Sequence, residues 1–485
     1  MDIVISIVPI LGAGVLALMI PLGLIFVDRI SKSFSDSQRA GAILTFIAFG
    51  AALVVLGSPR ELGEAARIGT HVESVESGGS QLSILAGRVF NLLLVGLCAS
   101  WLFAALWRRP SSPSGDPALP LLVSVLTYLF GTAVGQAFGS SEPSWTYKSL
   151  YIPIVLGGLY IQSDAKPLAL ARVAKLLAML VCVASLLFAV IRPDLALERP
   201  YESLIPGLNF RLYGVTGHAN AMGPMALLYL LLEWHVPSKR LLRWPAIIVA
   251  LSCFLFAQSK TAWATGVILG LLIIFHSTVG RQNGGNAKKS LLLLTILFGG
   301  LAAVAIALMF VDLGGFLERH SEFTTLTGRT DLWRITMDEW RRNPVFGYGA
   351  GLWDEDFRIR YNILYAGQAH NQFVQTLGES GLVGFALLLQ YLVVLAFFCL
   401  QQARLANPLP LLLFILILAR CVSEAPMRAI ALLDWALLMH ALLFLLLAQH
   451  VRGQQQLLRA GLPLASSMRQ ARTVAESEGG VVKSG

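Results

Sequence analysis

Runs of about 20 apolar residues recur along the whole of this 485-residue chain, separated mostly by short loops. A run of that length is what an α-helix needs to cross about 30 Å of hydrocarbon. In lipid, only helices and closed barrels satisfy every backbone polar group internally. A membrane barrel would show alternating segments of about 10 residues, and the chain has none. Only 13% of residues are charged, against about 25% in soluble domains. The pattern predicts an all-α, polytopic membrane bundle of 12–13 transmembrane helices with one large extracytoplasmic loop.

Helices are expected near 6–27, 40–57, 87–107, 118–138, 149–163, 171–191, 219–236, 244–257, 261–276, 290–311, 372–400, 407–420 and 431–449. The runs at 149–163, 244–257 and 407–420 are short enough to be tilted, re-entrant or broken. The first run lacks a small-residue cleavage site and reads as a retained helix. The domain reading is 1–200, N-terminal helices; 201–400, a core carrying the long loop 312–369; 401–451, C-terminal helices; and 452–485, a disordered cytoplasmic tail.

The net charge of +9 sits mostly in short loops. Arg29, Lys32 and Arg39, then Arg108 and Arg109, Lys166 and Arg172, Lys239, Arg240 and Arg243, Arg281, Lys288 and Lys289, and Arg404 mark one side. Positive loops are cytoplasmic, so this charge orients helices and no nucleic-acid partner is expected. The five cysteines show no metal-like spacing and read as small buried hydrophobes.

Four segments then face the other side: 58–86, 192–218, the turn Gln258–Thr261, and 312–369. They hold the polar residues that look least structural. Arg211 enters a membrane helix with Gly217-His218-Ala219-Asn220 behind it. Its planar fork of donors suits a phosphate, though an interfacial Arg also anchors helices. His218 and Asn220 either cap that helix or meet a ligand. Lys260 is a turn residue or a second cation for a lipid phosphate.

In the long loop an amphipathic helix is expected, capped by Thr330 or Asp331 and ended by Asn343-Pro344. Trp333, Met337 and Trp340 form its apolar face, and Arg334 with Asp338 an ion pair. Arg329 precedes it after a Gly, where a flexible backbone could aim it at a ligand. Asp354-Glu355-Asp356 resembles the metal-holding DxD pattern but reads as a solvated acidic turn. His370, with Asn371 beside it, opens the next apolar run, where an imidazole could take a hydroxyl proton. Glu379, inside that run, should line a cavity or pair with a cation.

Together, Gly328-Arg329, Trp333, Asn343-Pro344, Gly347, Gly349, Gly351, His370-Asn371-Gln372-Phe373, Gln375, Leu377, Glu379, Gly381 and Gly384 resemble the signature of the O-antigen ligase and polysaccharide polymerase superfamily. Arg211-Leu212-Tyr213-Gly214, His218, Asn220 and Ser259-Lys260-Thr261 match its upstream landmarks. The resemblance covers roughly 200–390. It implies a GT-C-type glycosyltransferase in the bacterial inner membrane, with its site facing the periplasm. The donor would be a glycan on undecaprenyl pyrophosphate, and the acceptor a glycan or lipid A–core. By resemblance, Arg211 and Arg329 would bind the pyrophosphate and His370 would activate the acceptor, with Lys260, His218 and Asn371 as further binding residues. The resemblance implies no metal and no other cofactor. A flippase, a chain-length regulator and membrane lipid are the expected partners.

A polymerase is preferred to a ligase, because the long aromatic-rich loop could hold a glycan acceptor. A flippase is the alternative of another class. Transporters place polar groups near the midplane, whereas these fall at one membrane face.

Overall fold

The computed structural model describes residues 33–57, 81–107, 115–201, 205, 207–279, 327–363, 366–404, 407–428 and 432–460. The helices expected at 6–27 and 290–311 lie outside these residues, as does the tail beyond Ala460.

The other eleven expected helices are present. They are α1 (Asp36–Gly57), α2 (Gln81–Trp107), α3 (Leu119–Phe138), α4 (Tyr151–Tyr160), α5 (Pro167–Ile191), α6 (Ala219–His235), α7 (Arg240–Phe256), α8 (Lys260–Val279), α11 (Gln372–Arg404), α12 (Leu409–Ser423) and α13 (Trp435–Arg459). The long loop adds α9 (Thr327–Arg342) and α10 (Glu355–Tyr361). Six of the described helices are long and apolar enough to cross a membrane. Proline sits in the first turn of α3, α5 and α12, where its missing N–H costs nothing.

α13 is the central post, with 89% of its apolar window buried. It packs on α1, α4, α5, α6, α11 and α12. Several polar groups on it are matched, although the Trp435 indole N–H has no partner among the described residues. His440 meets Tyr391, and Gln449 donates to the Gln162 carbonyl at 2.6 Å. At its far end Arg452 grips Asp116 at 2.6 Å and the Tyr160 carbonyl at 2.9 Å. α13 runs on to Arg459, further than the expected boundary, because this clamp holds its last turns.

The long apolar run at 372–400 is not one uniform helix. Gly381, at φ 62° and ψ −160°, breaks α11. The segment 344–349 fills the break. Leu382 and Val383 donate to the Pro344 and Val345 carbonyls at 2.8 and 3.1 Å. Tyr348 and Gly349 donate to Gly378 and Glu379 at 2.7 and 3.1 Å. The backbone groups freed by the break are thus satisfied inside the bundle, as lipid demands. Gly347 sits at φ 73°, and a Cβ there would stand 2.6 Å from the Gly378 carbonyl oxygen. Gly347→Ala should therefore destabilise the protein by about 2–4 kcal/mol, read as a lower unfolding temperature in detergent.

α9 begins at Thr327, one turn before the expected cap, so Thr330 and Asp331 are interior and Arg329 lies on its first turn. Gly and Thr are weak helix formers. Burial of Leu332, and the seating of Trp333 against the same small cluster with Leu352, Phe357 and Ala369, overrides that weakness. The buried face is Leu332, Thr336 and Glu339 rather than the expected Trp333, Met337 and Trp340 stripe. The ion pairs also differ from expectation. Arg334 meets Asp331 at 3.6 Å and Arg341 meets Asp338 at 2.6 Å, both at i,i+3 spacing. Asp354 is a helix cap, accepting from the Phe357 N–H at 2.9 Å.

Candidate active site

At one end of the bundle, three distant segments converge on Glu424, the residue that closes α12. His370 Nδ1 lies 2.9 Å from its Oε2. Gln368 donates to the same oxygen at 2.7 Å. Asn220 donates to Oε1 at 2.6 Å, and the Arg329 guanidinium stands 3.8 Å from it. Asn220 in turn accepts from Arg211 at 2.9 Å and from Ser259 at 3.2 Å. One carboxylate therefore joins His370, Arg329 and, through Asn220, Arg211.

Each group is held from behind. Arg211 lies on the two-residue strand β2 (Arg211–Leu212), paired antiparallel with β1 (Leu197–Glu198). It donates to the Ala257 carbonyl at 3.0 Å, stands 3.8 Å from Glu198 and lies over the Tyr201 ring. His218 caps α6, accepting from the Asn220 N–H at 3.1 Å, and stacks on Tyr213. Asn371 is fully buried and caps α11 through the N–H groups of Phe373 and Val374 at 2.9 and 3.1 Å. Its amide reaches the Val422 carbonyl at 3.2 Å, which ties α11 to the turn before Glu424. Lys260 opens α8 at an exposed position, one residue after Ser259.

His370 has φ 51°, a left-handed conformation costly for a residue with a Cβ. Both neighbours are pinned. Trp333 donates its indole N–H to the Ala369 carbonyl at 2.8 Å, and Gln375 accepts from the Ala369 N–H at 2.6 Å. Such strain persists only where surrounding contacts over-determine it, and it concentrates at functional sites. Trp333→Phe removes one of these contacts. It should cost about 1 kcal/mol in unfolding free energy and lower kcat roughly 10- to 100-fold by freeing the imidazole.

Burial works to raise the Glu424 carboxyl, but the His370 hydrogen bond, the positive charge that His370 and His218 take on in acid, and the Asn220 amide outweigh it and hold the group at about 2. Glu424 is therefore an anion throughout the neutral range. Crowding by protein pushes His218 down to about 4, against the pull of Glu424, so it stays neutral. Desolvation lowers Arg329 as well, partly offset by Glu424 and reinforced by Arg211.

These shifts set an acid limit on stability. A carboxyl depressed in the folded state adds stability above its ordinary value near 4.5, and that stability is lost as pH falls toward about 2. The unfolding temperature of wild type, compared with Glu424→Gln, should keep its advantage above about pH 5 and lose it between about pH 4.5 and 2.

The expected residues Arg211, His218, Arg329 and His370 are thus brought together, with Lys260 beside Ser259 at the rim. Asn371 serves its helix. Glu424 and Gln368 were missed by the sequence reading. Glu379 does pair with a cation: Arg428 holds it at 2.7 Å and also reaches the Gly367 and Leu352 carbonyls, both at 2.9 Å. Among the described residues no group of His, Cys, Asp or Glu could hold a metal ion.

The O-antigen ligase family model matches residues 225–389, which include Lys260, Arg329 and His370. This match supports the resemblance to the O-antigen ligase and polysaccharide polymerase superfamily over that segment. The chain is also 32% identical over 162 residues to exopolysaccharide production protein ExoQ of Rhizobium meliloti (strain 1021), covering 31% of this chain and 36% of that protein. It is 24% identical over 181 residues to an uncharacterised protein of Haemophilus influenzae, covering 33% of this chain and 44% of that one. The chain thus spans less than half the length of these curated relatives. The similarity to the O-antigen ligase family and the six long apolar helices together fit a polytopic membrane protein. Arg211, His218 and Glu424 fall outside the family match, yet the structure joins them to His370 and Arg329, which fall inside it.

Proposed function

We propose that this protein polymerises a polysaccharide, transferring a glycan from undecaprenyl pyrophosphate to a sugar hydroxyl at the periplasmic face of the bacterial inner membrane. The observation that carries this reading is the His370–Glu424 contact of 2.9 Å, set between Arg211 and Arg329. An ionised Glu424 can only accept a hydrogen bond at this contact, so Nδ1 keeps its proton and the lone pair is on Nε2. Nε2 can then take the proton of the acceptor hydroxyl as its oxygen attacks the anomeric carbon. The bond from that carbon to the pyrophosphate oxygen breaks, and its electron pair leaves with the phosphate. Arg211 and Arg329 oppose the charge that grows there. The stored energy of the pyrophosphate ester drives transfer, so no nucleotide is needed. Direct displacement inverts the anomeric carbon, and trapping a covalent glycosyl-enzyme would contradict it.

The polymerase reading is preferred to the ligase reading because a relative is named for exopolysaccharide production. Acting on lipid-linked repeat units, the protein would work beside a flippase and a chain-length regulator. The test is glycan analysis in a deletion strain complemented with wild type or His370→Ala at matched expression. Single repeat units stranded on the carrier in the variant support polymerisation. Long lipid-linked polymer missing only from lipid A would instead assign a ligase.

A further inference from the structure

Arg420 lies in the last turn of α12, four residues before Glu424. It is 8% exposed. Its Nε and Nη1 have no hydrogen-bond partner among the described residues. Among the described residues other interior cations are matched, and the half-exposed Arg243, whose Nε also lacks a hydrogen bond, has Glu233 at 3.6 Å. Arg428 has Glu379 and two carbonyls, Arg452 has Asp116 and a carbonyl, and Lys175 has Glu233, Ser238 and a carbonyl. A buried guanidinium without acceptors is costly, and an intramembrane one points to a ligand.

Its position identifies the ligand. Arg420 lies one helical turn, about 6 Å along the axis of α12, before the Glu424 cap, and its carbonyl accepts from the Glu424 N–H at 2.7 Å. Charge bookkeeping adds a second reason. Arg211 is opposed by Glu198 and Arg329 by Glu424, each at 3.8 Å. Those four groups sum to zero, whereas a diphosphate diester carries two negative charges. Arg420, one helical turn before Glu424, is a buried positive charge whose Nε and Nη1 meet no carboxylate among the described residues.

We propose that Arg420 binds the diphosphate of the lipid donor, contacting the phosphate that adjoins the polyprenyl chain. The inference rests on the proposed function, because it takes a lipid diphosphate as the donor. A carrier rising from the bilayer would present this phosphate first to Arg420, and the sugar-bearing phosphate to Arg211 and Arg329. Arg420 is thereby a binding residue that sets the depth of the donor.

The test measures thermal unfolding of the purified full chain in detergent for wild type, Arg420→Met and Arg420→Lys. The probes are undecaprenyl pyrophosphate, undecaprenyl monophosphate, phosphatidylglycerol and inorganic pyrophosphate. Without ligand, Arg420→Met should unfold no lower than wild type, because it removes an uncompensated charge. Its apparent affinity for undecaprenyl pyrophosphate should fall roughly 10- to 100-fold, with Arg420→Lys in between. Inorganic pyrophosphate, lacking the chain that fixes depth, should bind weakly to all three. An Arg420→Met protein that fails to fold, or unfolds lower without ligand, would make Arg420 structural and overturn the proposal. Unchanged affinity in that variant would overturn it while leaving the donor assignment intact. An Arg420-dependent shift as large with phosphatidylglycerol or the monophosphate would assign a lipid headgroup instead. No stabilisation of wild type by undecaprenyl pyrophosphate would remove the donor itself, and the proposed function with it.

Discussion

His370→Ala should abolish glycan transfer, lowering kcat by about 10²- to 10⁴-fold, while the protein folds and binds donor as wild type does. The side chain is part-buried and touches Glu424, but no apolar cluster depends on it. Its backbone, at φ 51°, is held by Trp333, Gln375 and the Asn371 cap rather than by its own ring. Alanine also carries a Cβ, so the local strain is unchanged. The loss should appear in turnover and not in donor affinity, because the pyrophosphate is assigned to the arginines. Equal losses in kcat and in donor affinity would mean that the imidazole binds rather than activates.

Glu424→Gln should lower kcat by about 10³-fold or more, with the unfolding temperature changed far less than by Glu424→Ala. The amide is nearly isosteric and keeps hydrogen bonds to part of its shell. It removes the charge that selects Nδ1–H on His370 and opposes Arg329. An amide can present N–H to Nδ1 and drive the proton to Nε2, which leaves no lone pair for the acceptor. Glu424→Asp keeps the charge on a shorter arm and should recover part of the rate. A Gln variant with wild-type turnover would reduce Glu424 to a structural hub. Glu424→Ala should be worse in both respects. It leaves the donors of Asn220 and Gln368 without their acceptor, at roughly 1–3 kcal/mol each.

The helices were legible because lipid forces a plain rule of length and apolarity on each of them. All eleven expected helices that fall on described residues are present, even the ten-residue α4. Arg211, His218, Arg329 and His370 were legible as chemistry-bearing residues at the ends of apolar runs on one predicted side. Glu424 was not. It is a single acid between Ser423 and Ala425, and its partners lie 54 and 204 residues away. The available signal was an acid closing an apolar helix on the same side as two candidate arginines. The break in α11 was missed for another reason. Gly381 follows Glu379 and Ser380 in a run too long for one span, but what stabilises the break is the distant segment 344–349. The start of α9 was misjudged because local propensity weighs against Gly328, while burial of Leu332 depends on the fold.

The most direct test uses the purified full chain in lipid nanodiscs with an undecaprenyl-pyrophosphate-linked repeat unit and no nucleotide or metal added. Two products are followed together: released undecaprenyl pyrophosphate and the glycan joined to its acceptor. Wild type should form both in equal amounts, and His370→Ala and Glu424→Gln should form neither. Release of carrier at wild-type rate by His370→Ala, or movement of intact donor across the bilayer without any bond being made, would contradict a glycosyl transfer centred on His370 and Glu424.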